Sequence, residues 1–230
     1  MDFAQAFGKL NIASYVFLLL FGLASIIQMI FAISEKENYR RIEKPFCLLF
    51  LGMFALVSFP NHPLIYVGAF LGMVGDILVL FKDNRIFALG ALSFFLGHLC
   101  YAIEIINVFL KSNIPYQNII IICGCFVIFF IGIFVLANRF IEKKWERVGA
   151  SIYYASLFTM LPLIITCYFL VGSFSYLLVI GIVFFIISDI IILFTKYVRK
   201  FKKYDVAIMG TYLIAQLFLI TGLTTMVAVL

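Results

Sequence analysis

Two aspartates lie inside long apolar stretches of the sequence, where an acid needs a chemical reason. Asp76 follows Gly75 in one stretch, and Asp189 follows Ser188 in another. A charged side chain near the bilayer centre costs at least ~2.5 to 3.5 kcal/mol, so intramembrane acids usually have a function. Two acids in one low-dielectric site favour one neutral and one ionised member, which would act as a proton donor and a base. The alternative is that each aspartate only forms a hydrogen bond between packed helices.

The two aspartates share a predicted depth and a similar local sequence. Asp76 precedes Lys82 by six residues and Asp189 precedes Lys196 by seven, so helical rise places each ~9 to 10 Å inside the same boundary. The segment GDILVLF at 75–81 parallels SDIIILF at 188–194. This similarity suggests a 4+4 parallel repeat of helices, with a chance match of short apolar windows as the alternative. Acids at one depth of one bundle predict a shared catalytic site.

A second group of polar side chains falls at helical spacing in two other apolar stretches. His98 and Tyr101 are three residues apart, and Tyr212 and Gln216 are four apart. Each pair therefore lies on one helix face. We expect all four residues to border the site. For His98, a hydrogen bond across helices is an equally simple interpretation.

Two more candidates lie where apolar stretches meet charged loops. Tyr154, beside Tyr153, borders the inner half of one stretch, and Lys44 precedes Pro45 at the start of another. Tyrosines in such positions are often interfacial anchors. A lysine there can contact a lipid phosphate or only set the topology. Because proline suits a first helical turn, Lys44-Pro45 also predicts a helix start.

The chain lacks the residue patterns of common metal and cofactor sites. Its two histidines, His62 and His98, lie at different predicted depths, so they cannot form a three-ligand zinc centre. Cys123 and Cys125 are two residues apart in an apolar run, a spacing that points them away from each other on a helix. No nucleophile elbow, phosphate-binding glycine loop or dinucleotide fingerprint is present. We therefore expect neither a metal nor an organic cofactor.

The elements that hold these residues are predicted to be transmembrane helices in a single domain covering residues 1–230. With 65% hydrophobic and 12% charged residues, the chain has too little polar surface for a soluble globule. Long continuous apolar runs favour helices over a barrel. They predict eight spans, at 12–34, 46–59, 64–81, 86–110, 116–137, 148–171, 174–195 and 206–230. The second span is short, so it must begin nearer Ile42, thin the bilayer or stop inside the bundle.

The distribution of basic residues predicts the orientation of these helices. Of the 17 lysines and arginines, 15 fall in the odd-numbered loops, and only Lys9 and Lys111 fall on the other side. The positive-inside rule then places the odd loops in the cytoplasm and both termini outside. The net charge of +6 therefore sets topology and implies no nucleic-acid surface. We expect a multi-pass protein of the cell membrane.

Taken in order, these motifs resemble the YhhN-like membrane proteins, whose animal members include lysoplasmalogenase. The resemblance covers nearly the whole chain, and each motif keeps its order and its place on the eight predicted spans. It rests on Lys44-Pro45, Gly75-Asp76, Phe94-x-x-x-His98-x-x-Tyr101, Tyr154 with Met160, Ser188-Asp189 and Tyr212-x-x-Ala215-Gln216.

The resemblance implies hydrolysis of the vinyl ether bond of a lysoplasmalogen, giving a fatty aldehyde and glycerophosphoethanolamine or glycerophosphocholine. It implies no metal or organic cofactor, and its partners are the lysophospholipid substrate and membrane lipids. By residue-by-residue carry-over, Asp76 and Asp189 would be the acid and base pair. The residues implied to bind substrate are Lys44, His98, Tyr101, Tyr154, Tyr212 and Gln216.

One alternative function uses the same two aspartates. A proton-coupled transporter of a small molecule or a lipid would load protons on paired carboxylates during alternating access. The possible internal repeat favours this alternative, whereas the small size of the chain disfavours it. A purely structural membrane protein would leave both buried acids unexplained.

Overall fold

The chain folds into a bundle of α-helices. The computed structural model describes residues 10–81, 83–111, 116–171 and 176–229, and all regular structure within them is helical. The predicted all-α class is therefore confirmed. The residues before 10, among them Met1 and Lys9, and the last residue, Leu230, lie outside the described part of the chain. The described helices are α1 (Ile12–Ile33), α2 (Glu37–Ser58), α3 (Pro63–Leu78), α4 (Asn84–Lys111), α5 (Tyr116–Ala137), α6 (Lys144–Val171), α7 (Tyr176–Tyr197) and α8 (Tyr204–Val229).

Six of these eight helices are long and apolar enough to cross a membrane, and α2 and α3 are the other two. The outer faces are apolar: Leu19, Ile26 and Ile128 are among many large hydrophobic side chains that stay exposed. A surface of this kind needs lipid as its solvent. The chain is therefore a multi-pass membrane protein, whereas eight crossings and the outward placement of the termini stay predictions.

The second helix begins earlier than its apolar run. Helix α2 starts at Glu37, nine residues before the predicted 46, and Pro45 lies inside it. The prediction that Lys44-Pro45 begins a helix was therefore wrong. Ion pairs hold the polar first turns: Arg41 pairs with Glu37 one turn away, and Arg40 pairs with Asp205 of α8. These side-chain contacts stabilise helical turns that hydrophobicity alone does not reveal.

The third helix is the short one. Helix α3 has 16 residues and ends at Leu78, three residues before the predicted 81. At ~1.5 Å per residue it spans only ~24 Å, less than the ~30 Å of a typical hydrocarbon core. Its early end leaves Val79 and Leu80 in a turn beside the site described below.

Two helix pairs approach closely through glycine. In the α3–α4 pair, a Cβ atom on Gly97 would lie 2.9 Å from the carbonyl oxygen of Gly68. In the α7–α8 pair, a Cβ atom on Gly181 would lie 2.7 Å from the backbone nitrogen of Leu219. Small residues at such contacts let helix backbones pack tightly in a membrane. Both pairs carry an aspartate, on α3 and on α7, so their packing fixes the two acids.

The charged connections gather at one end of the bundle. Short connections reverse the chain between long helices, so the segments at 34–36, 79–81, 138–143 and 198–203 lie at the same end. The ion pair between Arg40 of α2 and Asp205 of α8 joins two helices there. We call this the basic end, because most of the lysines and arginines lie in or beside these segments.

Candidate functional site

A cavity of about 830 Å³ enters the bundle from the basic end. Its walls come from α2, α4, α6, α7 and α8 and from the turn after α3. The volume lies within the ~300 to 1,000 Å³ that is usual for small-molecule sites. Trp145, at the cavity edge, is 82% exposed. Tryptophan is enriched at membrane interfaces, so the opening fits the level of lipid headgroups.

One wall of the cavity is apolar and reaches the outer face of the bundle. Ala91, Leu92 and Phe95 of α4 line it, as do Ile152 of α6 and Leu193 of α7. Leu92 is 49% exposed and Ile152 is 38% exposed. The cavity therefore meets the lipid-facing surface as well as the charged end. An amphiphile with one chain matches this combination of walls.

Asp189 lies at the wall of the cavity. Its side chain is 6% exposed, and the hydroxyl of Tyr153 donates a hydrogen bond to Oδ2 over 2.6 Å. No lysine or arginine nitrogen lies within 4 Å of this carboxyl among the described residues. Asp189 is thus a buried acid with a phenol on one oxygen and, within the described residues, no counter-ion in contact.

Asp76 lies behind the cavity wall and has different partners. Its side chain is fully buried, with the Lys44 ammonium 2.7 Å from Oδ1. The Tyr212 hydroxyl donates a hydrogen bond to Oδ2 over 2.8 Å. Lys44 and Tyr212 line the cavity, but Asp76 does not. The Lys44 ammonium also lies 5.0 Å from the centroid of the Tyr212 ring, so the three side chains form one compact group.

Aromatic rings connect the two aspartate groups. Phe185 packs edge-to-face on Tyr212 at 5.8 Å and edge-to-face on His98 at 4.5 Å. The His98 ring is in turn 6.2 Å from the ring of Tyr153. Each hydroxyl that contacts an aspartate is therefore carried by a ring held between other rings. This packing limits how far either phenol can move from its acid.

The predicted site residues divide into two sets. Four of the eight line the cavity, namely Lys44, Tyr154, Asp189 and Tyr212. The other four, Asp76, His98, Tyr101 and Gln216, are buried outside the lining.

The four buried residues differ in how directly they contact the residues that line the cavity. Asp76 touches two lining residues, and His98 contacts the ring of a third, Tyr153. Tyr101 packs on His98 at 6.5 Å. Gln216 follows Tyr212 by one helical turn, and its Oε1 has no hydrogen-bond partner in the described part of the chain. The catalytic role of Asp76 and the substrate-binding roles of His98, Tyr101 and Gln216 stay predictions.

Several residues at the site were not predicted from the sequence to have this role. Tyr153 was considered only alongside Tyr154, yet it is Tyr153 that bonds Asp189. Phe185 was not considered at all. Arg40, Arg41 and Lys196 were interpreted as topology signals, but they also line the cavity. The helical period gives the face of each residue, but pairing across helices depends on rotations that one sequence does not reveal.

The described residues contain no group of three or more His, Cys, Asp or Glu side chains that could hold a metal ion. His62 does not line the cavity, and its Nδ1 lies 2.6 Å from Oε1 of Glu104. Cys123 is exposed on α5 and Cys125 is only partly buried. The expectation of a site without metal stays a prediction.

A helical bundle with lipid-compatible outer faces, and with a cavity lined by both apolar and charged side chains at one end, defines a polytopic membrane protein with an internal cavity. The model of the YhhN family matches residues 39–223. This range is most of the chain and contains every site residue named above, so the chain belongs to the YhhN family, as the motifs predicted. Comparison with curated proteins and with solved structures found no match.

Proposed function

We propose that this protein hydrolyses the vinyl ether bond of a lysoplasmalogen. Membership of the YhhN family is consistent with a lysoplasmalogenase. The observation that carries the proposal is the Asp189 carboxyl, which lies at a cavity wall between an apolar flank and a charged end. A vinyl ether is hydrolysed by protonation at carbon, so its catalyst needs a positioned acid rather than a strong nucleophile.

In the first step, Asp189 donates its proton to the β-carbon of the vinyl ether. The O–H bond of the acid breaks, and the electrons of the carbon–carbon π bond form the new C–H bond. The ether oxygen then shares a lone pair with the electron-poor α-carbon to give an oxocarbenium ion. The Asp189 carboxylate that remains stabilises this cation at short range. Tyr153 fixes the orientation of the carboxyl through its hydrogen bond to Oδ2.

In the second step, water attacks the oxocarbenium carbon and gives its proton to Asp189. The acid is thereby restored, and the product is a hemiacetal. The hemiacetal collapses when its hydroxyl proton passes to the glycerol oxygen and the carbon–oxygen bond breaks. The products are a fatty aldehyde and a glycerophospho fragment, so atoms and charges balance without an external oxidant or cofactor.

Asp76 has a positioning role in this scheme. Its ion pair with Lys44 and its bond to Tyr212 hold both side chains at the cavity wall. An ammonium 2.7 Å away favours the ionised form of Asp76. We therefore assign proton donation to Asp189 and assign Asp76 to fixing the Lys44 ammonium beside the glycerol oxygens. The two acids differ in role because their partners differ.

The test is release of aldehyde by the purified protein in detergent or nanodiscs. Three matched lysophospholipids carry the same chain through a vinyl ether, an alkyl ether or an ester. We expect aldehyde only from the vinyl ether. Binding of this lipid without release of aldehyde would favour the proton-coupled carrier instead, and it would remove the hydrolase proposal.

A further inference from the structure

Among the described residues, four cationic side chains line the cavity, and three of them already have a carboxylate partner. Arg40 pairs with Asp205 at 2.7 Å, Arg41 pairs with Glu37, and Lys44 pairs with Asp76 at 2.7 Å. The fourth cation is Lys196. Within the described residues, no carboxylate oxygen lies within 4 Å of its ammonium.

Aromatic rings hold Lys196 instead. Its Nζ lies 3.6 Å from the centroid of the Phe87 ring and 5.5 Å from that of Tyr197. Phe87 and Tyr197 line the same cavity. Among the acids in the lining, Glu146 attracts Lys196 only from beyond contact distance, and its Oε1 lies 3.2 Å from the Lys143 ammonium. An ammonium that contacts only aromatic rings keeps its N–H groups available for hydrogen bonds. An incoming anion can therefore bind it without first displacing a carboxylate of the protein.

We propose that Lys196 binds the phosphate of the substrate headgroup and so sets how deep the reactive bond reaches. This inference rests on the proposed function for its choice of ligand. Lys196 follows Asp189 by seven residues on α7. Seven residues are about two helical turns, so both side chains lie on one face with a rise of ~10.5 Å between them.

The spacing fits the chemistry of a lysoplasmalogen. Three glycerol carbons separate its phosphate from the vinyl ether oxygen. At bond lengths of ~1.5 Å, an extended run from the phosphorus to the vinyl β-carbon spans roughly 8 to 9 Å. A phosphate on Lys196 therefore places the β-carbon at the level of Asp189. A lipid without a phosphate cannot bind Lys196 in this way, so its reactive bond is not held at the level of Asp189.

The experiment compares binding of two non-hydrolysable ligands, an alkyl-ether glycerophosphoethanolamine and the alkylglycerol with the same chain. The wild-type protein should bind the phosphorylated ligand more tightly. In Lys196→Gln this preference should fall by about ten- to a hundred-fold, because a hydrogen bond between charged groups is lost. Lys196→Arg keeps the charge and should keep most of the preference.

Lys200→Gln is the matched control. It removes one positive charge from the same end of the bundle, but Lys200 does not line the cavity, so the preference for phosphate should stay at the wild-type value. An unchanged preference in Lys196→Gln would overturn the inference, as would an equal loss in both variants. Binding is measured here with ligands that cannot be hydrolysed, so it does not depend on catalysis. If the wild-type protein prefers the phosphorylated ligand but releases no aldehyde from the vinyl ether lipid, the hydrolase proposal fails and the Lys196 inference stands.

Discussion

Asp76 and Asp189 are chemically identical side chains that occupy different electrostatic settings. Asp76 has an ammonium and a phenol within hydrogen-bond distance and is sealed from the cavity. Asp189 has one phenol, no close cation within the described residues, and access to the cavity. Replacing each by asparagine should therefore have different consequences, although both changes remove one carboxyl.

For Asp189→Asn we expect turnover to fall by on the order of 10² to 10⁴ while the fold is kept. The amide retains the shape of the side chain but cannot donate the proton. For Asp76→Asn we expect losses of both turnover and stability, because breaking a buried ion pair costs ~3 to 5 kcal/mol. The measurements are aldehyde release and thermal unfolding of each purified variant.

A double variant separates these two effects. Combining Asp76→Asn with Lys44→Met removes the unpaired ammonium, so part of the lost stability should return. A thermally stable Asp76→Asn protein would contradict the importance of the Lys44 pair. Normal turnover in Asp189→Asn would remove Asp189 from the mechanism.

Tyr153 and Tyr154 offer a comparison at adjacent positions. Tyr153→Phe removes the hydrogen bond to Asp189. We expect kcat to fall about ten- to a hundred-fold, because Asp189 becomes a carboxylate as it donates its proton, and a hydrogen bond to a charged group is typically worth ~1.5 to 3 kcal/mol. The Tyr154 hydroxyl has no hydrogen bond within the described residues, so Tyr154→Phe should change KM more than kcat. Steady-state aldehyde release measures both constants. Equal effects on kcat would contradict the assigned role of Tyr153.

The two acids could be recognised from the sequence because a charged residue inside a long apolar run is easily identified. The sequence also placed Lys44 and Tyr212 among the site residues, and both line the cavity. The partner of each acid was not predictable. Tyr153 lies 36 residues from Asp189, and Tyr212 lies 136 residues from Asp76, so both contacts depend on how separate helices rotate and pack.

At the scale of elements, the tight contact between α3 and α4 depends on glycine, which has no side chain. Gly97 of α4 faces the backbone of α3, and an added Cβ atom would lie 2.9 Å from the Gly68 carbonyl oxygen. Backbone cannot move aside as a flexible side chain can. The position of α3, and with it Asp76, therefore depends on this glycine.

We predict that Gly97→Ala lowers stability by ~1 to 3 kcal/mol, the usual cost of overpacking a core. Thermal unfolding in detergent measures the change. Gly124→Ala on α5 is the control, because within the described residues its added Cβ would meet no atom within 4 Å apart from its chain neighbours and the backbone of its own helix. The control should unfold at or slightly above the wild-type temperature, since alanine favours helix. Unfolding of both variants at the wild-type temperature would show that the α3–α4 contact is not tight.

Helix boundaries were predictable where apolar runs end at charges, and not where polar residues continue a helix. The run at 116–137 coincides with α5, because its charge-free sequence has clear breaks on both sides. Helix α2 instead extends upstream through Glu37 and Arg41, whose ion pair stabilises the added turns. Side-chain pairing of this kind leaves no trace in hydropathy.

At the scale of the whole molecule, the uneven division of basic residues predicts one orientation in the membrane. The loops that carry 15 of the 17 lysines and arginines should face the cytoplasm. Tags at the two termini, which lie outside the described residues, should then be reached from outside, while a tag beside Lys143 should be protected in intact cells. A membrane-impermeant labelling reagent measures this. A terminus found in the cytoplasm would overturn the count of eight spans.

The cavity has one wall against the lipid-facing surface, near Leu92 and Ile152, and an opening among charges at the basic end. If the proposed cleavage takes place there, each fragment is released beside the phase in which it dissolves. The aldehyde is left next to hydrocarbon and the glycerophospho fragment next to water. Neither product has to pass the other, and the bundle need not open to release them. Transfer of the aldehyde into lipid and of the glycerophospho fragment into water would then separate the products and favour completion of the reaction.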